Sequence, residues 1–188
     1  MRSKDYYELE VRDGANPFLI RHVVEESFRP LPPNTGNAAC AAGWSVDMRL
    51  PLSKGGLLGP VVMELISVLE RHKICQIAGA GFGAFFLIGG ILAEADYICG
   101  GLIRPSRKHY GFRRYIEGDL DRARPIFIID DVLSSGSTAL NAASTLRNEG
   151  FQAAGVLTLL RLGWRGGDHK LRQAGLDTEC LATLFPLT

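Results

Sequence analysis

Short apolar runs alternate along this chain with longer amphipathic stretches, and this alternation limits the folds that the chain can adopt. The runs have the length of buried strands, and they lie at 74–78, 97–103, 125–129, 153–160 and 178–184. The amphipathic stretches have helical spacing, and they lie at 17–28, 57–72, 84–95 and 138–149. Strands that alternate with helices predict βαβ units around a parallel sheet. The continuous apolar character of the runs indicates that helices cover both faces of this sheet.

Composition supports a single globular domain and argues against several classes of protein. The chain has 188 residues, of which 46% are hydrophobic and 22% are charged, so a sizeable core can form. Its net charge of +1 lacks the basic excess of nucleic-acid-binding proteins, so we expect no nucleic-acid partner. The four cysteines form no CxxC pair, which indicates free thiols in a reducing cytoplasm rather than a zinc site or disulfides.

The apolar stretch at 77–95 has nearly the length of a membrane span. It contains five glycines and runs into Glu94 and Asp96, so a strand, a glycine loop and a buried helix explain it better. The first residues, MRSKDYYELEVRD, are charged and lack the apolar centre of a signal peptide. We therefore expect a cytoplasmic protein with no membrane partner.

Three glycine-rich or polar segments follow predicted strands, at 79–83, 104–111 and 130–138. Ligands of parallel sheets bind at the carboxyl ends of the strands, so these segments are candidates for a site. The third lies within FIIDDVLSSGSTAL (127–140), where two adjacent carboxylates precede a loop of four hydroxyls and a glycine.

The two halves of this stretch suit different parts of one ligand. Small residues let the backbone approach a ligand, Gly136 can take a positive φ, and the next helix presents its N-terminal amides, so the loop predicts a phosphate site. Asp130 and Asp131 would repel a phosphate, but they suit a ribose with two hydroxyls or Mg²⁺ on a pyrophosphate. In the alternative reading, one aspartate only caps the helix and an ordinary turn follows.

The stretch 127–140 is similar to the phosphoribosyl-diphosphate (PRPP) signature of the type I phosphoribosyltransferases, in which an apolar strand, two acids and two further residues precede a Thr/Ser/Gly loop. Three other segments resemble the orotate phosphoribosyltransferase family. GLIRPSRKHYGFRRYIEGDL (101–120) resembles its mobile loop, and IAGAGFGAFFLIG (77–89) its pyrophosphate loop. WSVDMRLPLSKGGLLGPVVMELI (44–66) resembles its N-terminal Tyr-x-x-Asp-x-Arg segment and the following helix.

The resemblance implies an α/β type I phosphoribosyltransferase fold, with a central, mostly parallel sheet flanked by helices and a small N-terminal hood. Residues 1–56 would form an N-terminal helix and the hood segment. Residues 57–188 would form the α/β PRPP-binding core with a C-terminal extension, within one compact domain overall.

The resemblance also implies an activity: transfer of 5-phosphoribose from PRPP to a nitrogenous base with release of pyrophosphate. The implied base is orotate and the product orotidine 5'-monophosphate, in pyrimidine biosynthesis. Mg²⁺ is the implied cofactor, held by Asp130 and Asp131 indirectly, through PRPP and water. The implied assembly is a homodimer in which the loop at 104–118 reaches the neighbouring site.

The family's functional positions fall on specific residues of this chain. The implied catalytic residues are Asp130, Asp131 and Lys108. The implied PRPP-binding residues are Ser134, Ser135, Gly136, Ser137, Thr138, Ala80, Gly81, Phe82, Gly83 and Arg104. The implied residues for the second substrate are Asp47, Arg49 and Arg161.

The chain departs from the family at several cationic positions. The second loop lysine falls on Pro105, the loop histidine on Tyr110 with His109 beside it, and the pyrophosphate-loop lysine on Gly83. Two alternatives therefore remain open beside the orotate reading. One is a PRPP- or nucleotide-binding regulator, or a divergent homologue with weak or no transferase activity, and the other is a transferase for another base such as a purine.

Overall fold

The computed structural model describes residues 7–30, 44–104 and 115–187, and within them strands and helices alternate as the sequence predicts. The strands are β1 Tyr7–Val11, β2 Phe28–Pro30, β3 Trp44–Val46, β4 Gln76–Gly79, β5 Cys99–Ile103, β6 Ile116–Glu117, β7 Pro125–Leu133, β8 Gln152–Leu162 and β9 Asp177–Pro186. The helices are α1 Pro17–Ser27, α2 Arg49–Leu52, α3 Gly55–Arg71, α4 Phe82–Glu94, α5 Ser137–Asn148 and α6 Gly167–Gln173.

The main sheet has seven strands in the order β1-β9-β8-β7-β4-β5-β6. The five central strands are parallel, and the two edge strands, β1 and β6, pair antiparallel with their neighbours. The chain passes from β4 to β5 on one side and then returns to β7 on the other side of β4. The carboxyl ends of β4 and β7 therefore flank the topological switch point, where open α/β sheets bind their ligands.

Both faces of the sheet are covered, as the apolar strands predict. Phe127 and Ile129 of β7 pack in a core that contains residues from α1 to α4. Ile126 and Ile128 point to the other face, where they pack with residues of α5 and α6. Alternate side chains of one strand thus enter two separate cores, which explains why this strand is apolar without interruption.

Local signals in the sequence set the ends of the helices. The side chain of Asn16 accepts hydrogen bonds from the backbone amides of Phe18 and Leu19, at 3.1 and 3.2 Å, and α1 begins at the predicted Pro17. Gly150, the predicted C-cap of α5, has φ +83°. Among the described residues, no helix has both the length and the hydropathy needed to cross a bilayer.

The structure corrects three of the sequence predictions. Strand β1 was not predicted, and it forms because Tyr7 and Leu9 are buried while the intervening glutamates face outward. The predicted helix at 17–28 ends one residue early, because Phe28 begins β2 and aligns with Val46 of β3 in a small antiparallel ribbon. The predicted loop at 104–118 contains the short edge strand β6, although residues 105–114 lie outside the described ranges.

Candidate active site

The acid pair lies inside strand β7 rather than in the loop where the sequence predicts it. Asp130 aligns with Thr158 of β8, and the pairing continues to Leu133, which aligns with Arg161. The ladder continues because the backbone of β7 still finds hydrogen-bonding partners on β8 beyond the last apolar residue. Both carboxylates are therefore held by a rigid element at the switch point.

Asp130 occupies an environment that opposes its negative charge. Burial raises the pKa of the Asp130 carboxyl to about 8, and the neighbouring carboxylate of Asp131 contributes to this rise. One oxygen of Asp130 accepts a hydrogen bond from the backbone amide of Asp131 at 3.0 Å. The protein thus retains an electrostatically unfavourable group at this position, which is typical of functional sites.

Asp131 lies against the first turn of α4, and Gly83 provides the space for it. A Cβ atom on Gly83 would overlap the Asp131 carboxylate, so a side chain at position 83 would force this aspartate to move. The N-terminus of a helix carries the positive end of its dipole, which favours a carboxylate there. The absence of a side chain at Gly83 therefore leaves the space that the Asp131 carboxylate occupies.

The predicted phosphate loop runs from Ser134 to Gly136, and helix α5 begins at Ser137. Gly136 has φ +79°, the left-handed conformation that the sequence predicts for it. No side chain of the described residues caps α5, so the amides of its first turn remain available to an anion. The loop, the first turn of α5, Asp130 and Thr158 line a small cavity of about 60 Å³.

Thr158 is a polar residue that sequence reasoning missed. Its side chain is fully buried, and its hydroxyl has no hydrogen-bond partner within the described ranges. It lines the same small cavity as Asp130 and the hydroxyl loop. A lone threonine in the apolar run GVLTLL, aligned with the acid-bearing strand, was the signal that could have identified it.

A larger cavity of about 650 Å³ opens beside the first turn of α4. It brings together the predicted pyrophosphate residues Ala80, Gly81 and Phe82, the predicted cation Arg104 and the loop residue Thr138. Gly81 has φ +97° and ends the turn from β4 into α4, so the backbone amides of that helix face this side. Five residues predicted from separate segments therefore line a single cavity.

The hood places an ion pair near the acids. Arg49 donates to Asp47 from two nitrogens, at 2.7 and 2.8 Å, and this contact lowers the pKa of the Asp47 carboxyl. The charge of Asp131 also acts on Arg49. Both predicted substrate residues of the hood thus lie on the side of the sheet where Asp131 meets α4.

Two other predicted residues do not join this group. The guanidinium of Arg161 donates to the hydroxyl of Thr183, at 2.8 and 3.1 Å, and to Asp168 at 3.3 Å. Arg161 lines a separate cavity with residues of β1 and β9, so its observed contacts anchor α6 to the sheet. Lys108 lies outside the described residues.

Aromatic side chains connect the hood to the turn after β8. The rings of Trp44 and Trp164 meet edge to face, with centroids 6.1 Å apart. Trp44 also contacts Phe28, so the ribbon of the hood is held against this turn. Trp164 is 43% exposed, which leaves part of its ring open to a ligand.

The sheet order, the acid pair and the hydroxyl loop at the switch point define the fold of the type I phosphoribosyltransferases. Solved structures agree: the orotate phosphoribosyltransferase of Mycobacterium tuberculosis H37Rv, in complex with Fe(III) dicitrate, superposes with a TM-score of 0.75 at 20% identity. That match covers 87% of this chain and 93% of the other. The same enzyme in complex with PRPP gives a TM-score of 0.70 at 18% identity, over 89% and 90% of the two chains.

Sequence comparison narrows the class. The orotate phosphoribosyltransferase of Sorangium cellulosum (strain So ce56) is 33% identical over 138 residues, which cover 68% of each protein. The corresponding enzyme of Pyrobaculum aerophilum is 31% identical over 134 residues, covering 70% of this chain and 67% of the relative. No protein-family model matches the sequence. The chain belongs to the orotate phosphoribosyltransferase family, a family of pentosyltransferases.

Proposed function

We propose that this protein transfers 5-phosphoribose from PRPP to orotate, releasing pyrophosphate and forming orotidine 5'-monophosphate in pyrimidine biosynthesis. The observation that carries the proposal is the single cavity lined by Asp130 and by the hydroxyl loop Ser134–Thr138. A ribose 5-phosphate needs polar groups for its hydroxyls and anion-binding groups for its phosphate, close together. The relatives named orotate phosphoribosyltransferase, and the structure of one of them with PRPP, support the choice of substrates.

In the proposed reaction, a ring nitrogen of the base attacks C1 of the ribose while the bond from C1 to the pyrophosphate oxygen breaks. Positive charge develops on the sugar and favours the ionised form of Asp130, so that Asp130 and Asp131 stabilise this charge while they bind the ribose hydroxyls. The leaving pyrophosphate lies in the larger cavity, where the first-turn amides of α4 and the Arg104 side chain interact with its negative charge. The hydroxyl loop and the N-terminus of α5 hold the 5-phosphate.

Asp130 and Asp131 fit a Mg²⁺ ion that enters the site already bound to PRPP. The described residues contain no cluster of three or more His, Cys, Asp or Glu side chains that could hold a metal alone. Asp130 and Asp131 would instead hold the ion indirectly, through the ribose hydroxyls of PRPP and water. When bound, Mg²⁺ would neutralise part of the charge on the leaving pyrophosphate.

The proposal extends to assembly, domain organisation and location. We infer a homodimer in which the segment 104–118, with Lys108, covers the site of the neighbouring subunit and excludes water. Residues 1–56 serve as helix and hood, and 57–188 as the PRPP-binding core. The described cysteines, Cys75, Cys99 and Cys180, are free thiols, which supports a location in the reducing cytoplasm.

A second candidate function is a PRPP-binding regulator with little turnover. The specific observation in its favour is Gly83, which stands where the family's pyrophosphate loop carries a lysine, so the leaving group meets one cation fewer. A transferase for a purine base is the remaining alternative.

Pyrophosphate release separates these functions. The purified protein is incubated with PRPP, Mg²⁺ and, in turn, orotate, uracil, adenine and hypoxanthine, and we expect release with orotate alone. Asp131→Asn should lower turnover about 100-fold or more, because the charge that stabilises the transition state is lost. The exposed Asp119→Asn serves as the matched control. Binding of PRPP without release with any base would establish the regulator, and release with a purine would establish the other transferase.

A further inference from the structure

The turn after β8, at 163–167, contacts the hydroxyl loop directly, although no function assigned so far uses it. The Nε atom of Arg165 donates a hydrogen bond to the hydroxyl of Ser134 at 3.2 Å. Ser134 is the first residue after β7 and therefore opens the loop that holds the 5-phosphate in the proposed function. A partly buried guanidinium thus lies at the edge of the phosphate cavity.

The backbone of the turn that carries Arg165 packs closely against the hydroxyl loop. Gly167 is buried, and a Cβ atom there would overlap the carbonyl oxygen of Ser134. A Cβ atom on Gly136 would lie 3.1 Å from the carbonyl oxygen of Gly167, so the two segments meet through a pair of glycines. Gly166 has φ +66°, which directs the chain from the turn into α6. This close packing holds the backbone at Arg165 beside the hydroxyl loop.

The charges around the cavity create a need for a cation. A phosphate monoester carries up to two negative charges, whereas the loop supplies only neutral hydroxyls and amides. Asp130, which lines the same cavity, adds a repulsive charge whenever it is ionised. Arginine donates from several nitrogens in a planar fork, so it can bind Ser134 through Nε and a phosphate through its terminal nitrogens.

We propose that Arg165 is a binding residue for the monophosphate end of the substrate and the product, a pentose 5-phosphate. This assignment rests on the proposed function, because it assumes that the hydroxyl loop holds the 5-phosphate of PRPP. Arg165 donates to a phosphate oxygen, while its contact with Ser134 orients the loop hydroxyl toward the same group. The protein thus places a cation at the phosphate end, whereas the family's lysine at the pyrophosphate end is replaced by Gly83.

The test measures the binding of three probes by calorimetry: PRPP with Mg²⁺, ribose 5-phosphate, and pyrophosphate with Mg²⁺. Arg165→Gln should weaken the binding of PRPP and ribose 5-phosphate by about tenfold or more, because a hydrogen bond to a charged group is lost. Pyrophosphate binding should stay within about twofold of the wild type, because in the proposed function pyrophosphate lies in the larger cavity, whose lining does not include Arg165. Arg165→Lys keeps the charge without the fork and should give intermediate affinities. Arg172→Gln, on the exposed side of α6, is the matched control.

Distinct results would overturn this assignment. Unchanged affinity of Arg165→Gln for ribose 5-phosphate and PRPP would remove Arg165 from the phosphate site while leaving the proposed function intact. A raised KM for orotate with unchanged PRPP binding would make Arg165 a contact of the base instead. Wild-type protein that binds neither PRPP nor ribose 5-phosphate would overturn the proposed function itself.

Discussion

At the scale of a single residue, Asp130 lowers the stability of the folded protein because of its place in the candidate site. Its carboxyl is enclosed beside a second carboxylate, and both circumstances raise its pKa. The folded chain therefore binds a proton at Asp130 more tightly than the unfolded chain does. A carboxyl with a raised pKa lowers the stability of the fold at high pH. The loss of stability begins as the pH rises above about 3.9, where the carboxyl of the unfolded chain releases its proton.

We expect Asp130→Asn to abolish turnover and yet to stabilise the protein at neutral pH. The substitution removes the cost of keeping this carboxyl protonated in the folded chain while it ionises in the unfolded chain, and the Asn side-chain oxygen can still accept from the backbone amide of Asp131. The unfolding free energy should rise by about 1–3 kcal/mol at neutral pH. This gain should shrink as the pH falls toward about 4, where the wild-type carboxyl becomes protonated in both states. Urea unfolding at several pH values measures it.

Asp119→Asn controls for the loss of a carboxylate, because Asp119 is exposed. If the difference in unfolding free energy between Asp130→Asn and the wild type did not change with pH, the pKa of the Asp130 carboxyl would not be raised in the folded protein. A less stable variant at neutral pH would show that the charge of Asp130 supports the fold.

Individual site residues differ in how far the sequence can predict them. The acids and the hydroxyl loop are adjacent along the chain, so their order alone indicates their chemistry. The proposed role of Arg165 depends on a contact between segments that are distant along the chain, its hydrogen bond to Ser134. No local pattern records such a contact, because it arises only when β7 and β8 pair.

Helix α4 offers a test at the scale of one element, since it contains glycines in contrasting surroundings. A Cβ atom on Gly83 would overlap the Asp131 carboxylate, whereas one on Gly89 would meet no described atom within 4 Å. Gly89→Ala should therefore stabilise the protein by about 0.5–1 kcal/mol, because alanine restricts the unfolded chain and favours the helix. Gly83→Ala should lose this gain and lower turnover by about tenfold or more, because Asp131 must move.

The two variants are compared by urea unfolding and by pyrophosphate release. Gly89→Ala is the control for the change of glycine to alanine within the same helix. Equal stabilisation and full turnover in both variants would show that Asp131 adjusts without consequence and that Gly83 is not matched to it.

The extent of β7 illustrates what the sequence could not predict for the elements. The change from apolar to acidic residues after Ile129 resembles the end of a strand, yet β7 continues to Leu133. Backbone hydrogen bonds to β8 decide where the strand ends, and they do not depend on side-chain polarity. Edge strand β1 was missed for a related reason, because only alternate residues of it are buried. The parallel order and the two-sided core followed from the apolar runs.

At the scale of the whole molecule, α4 and β5 expose an apolar surface that none of the described residues covers. Phe86 is 39% exposed and Leu102 38%, and exposed apolar side chains that form a patch mark interaction sites. In the proposed dimer a second copy of the chain covers this surface. We expect Phe86→Glu to convert a dimer into monomers in light scattering and to lower turnover per chain, because the segment 104–118 could no longer reach a neighbouring site.

Phe18→Glu is the matched control, because Phe18 is 85% exposed on a different helix, α1. It should leave the mass unchanged. A wild-type protein that is monomeric and fully active would contradict the proposed assembly.

The pairing of β1 with β9 has a consequence for how the protein is made. Tyr7 aligns with Pro186, so the first described strand finds its hydrogen-bonding partner only in the last one. Ribosomes add about 5–20 residues per second, and β1 therefore waits on the order of ten seconds without its neighbour. During that interval the apolar Tyr7 and Leu9 are separated by Glu8, and Glu10 follows them. These two negative charges keep the nascent strand from pairing with the wrong chain.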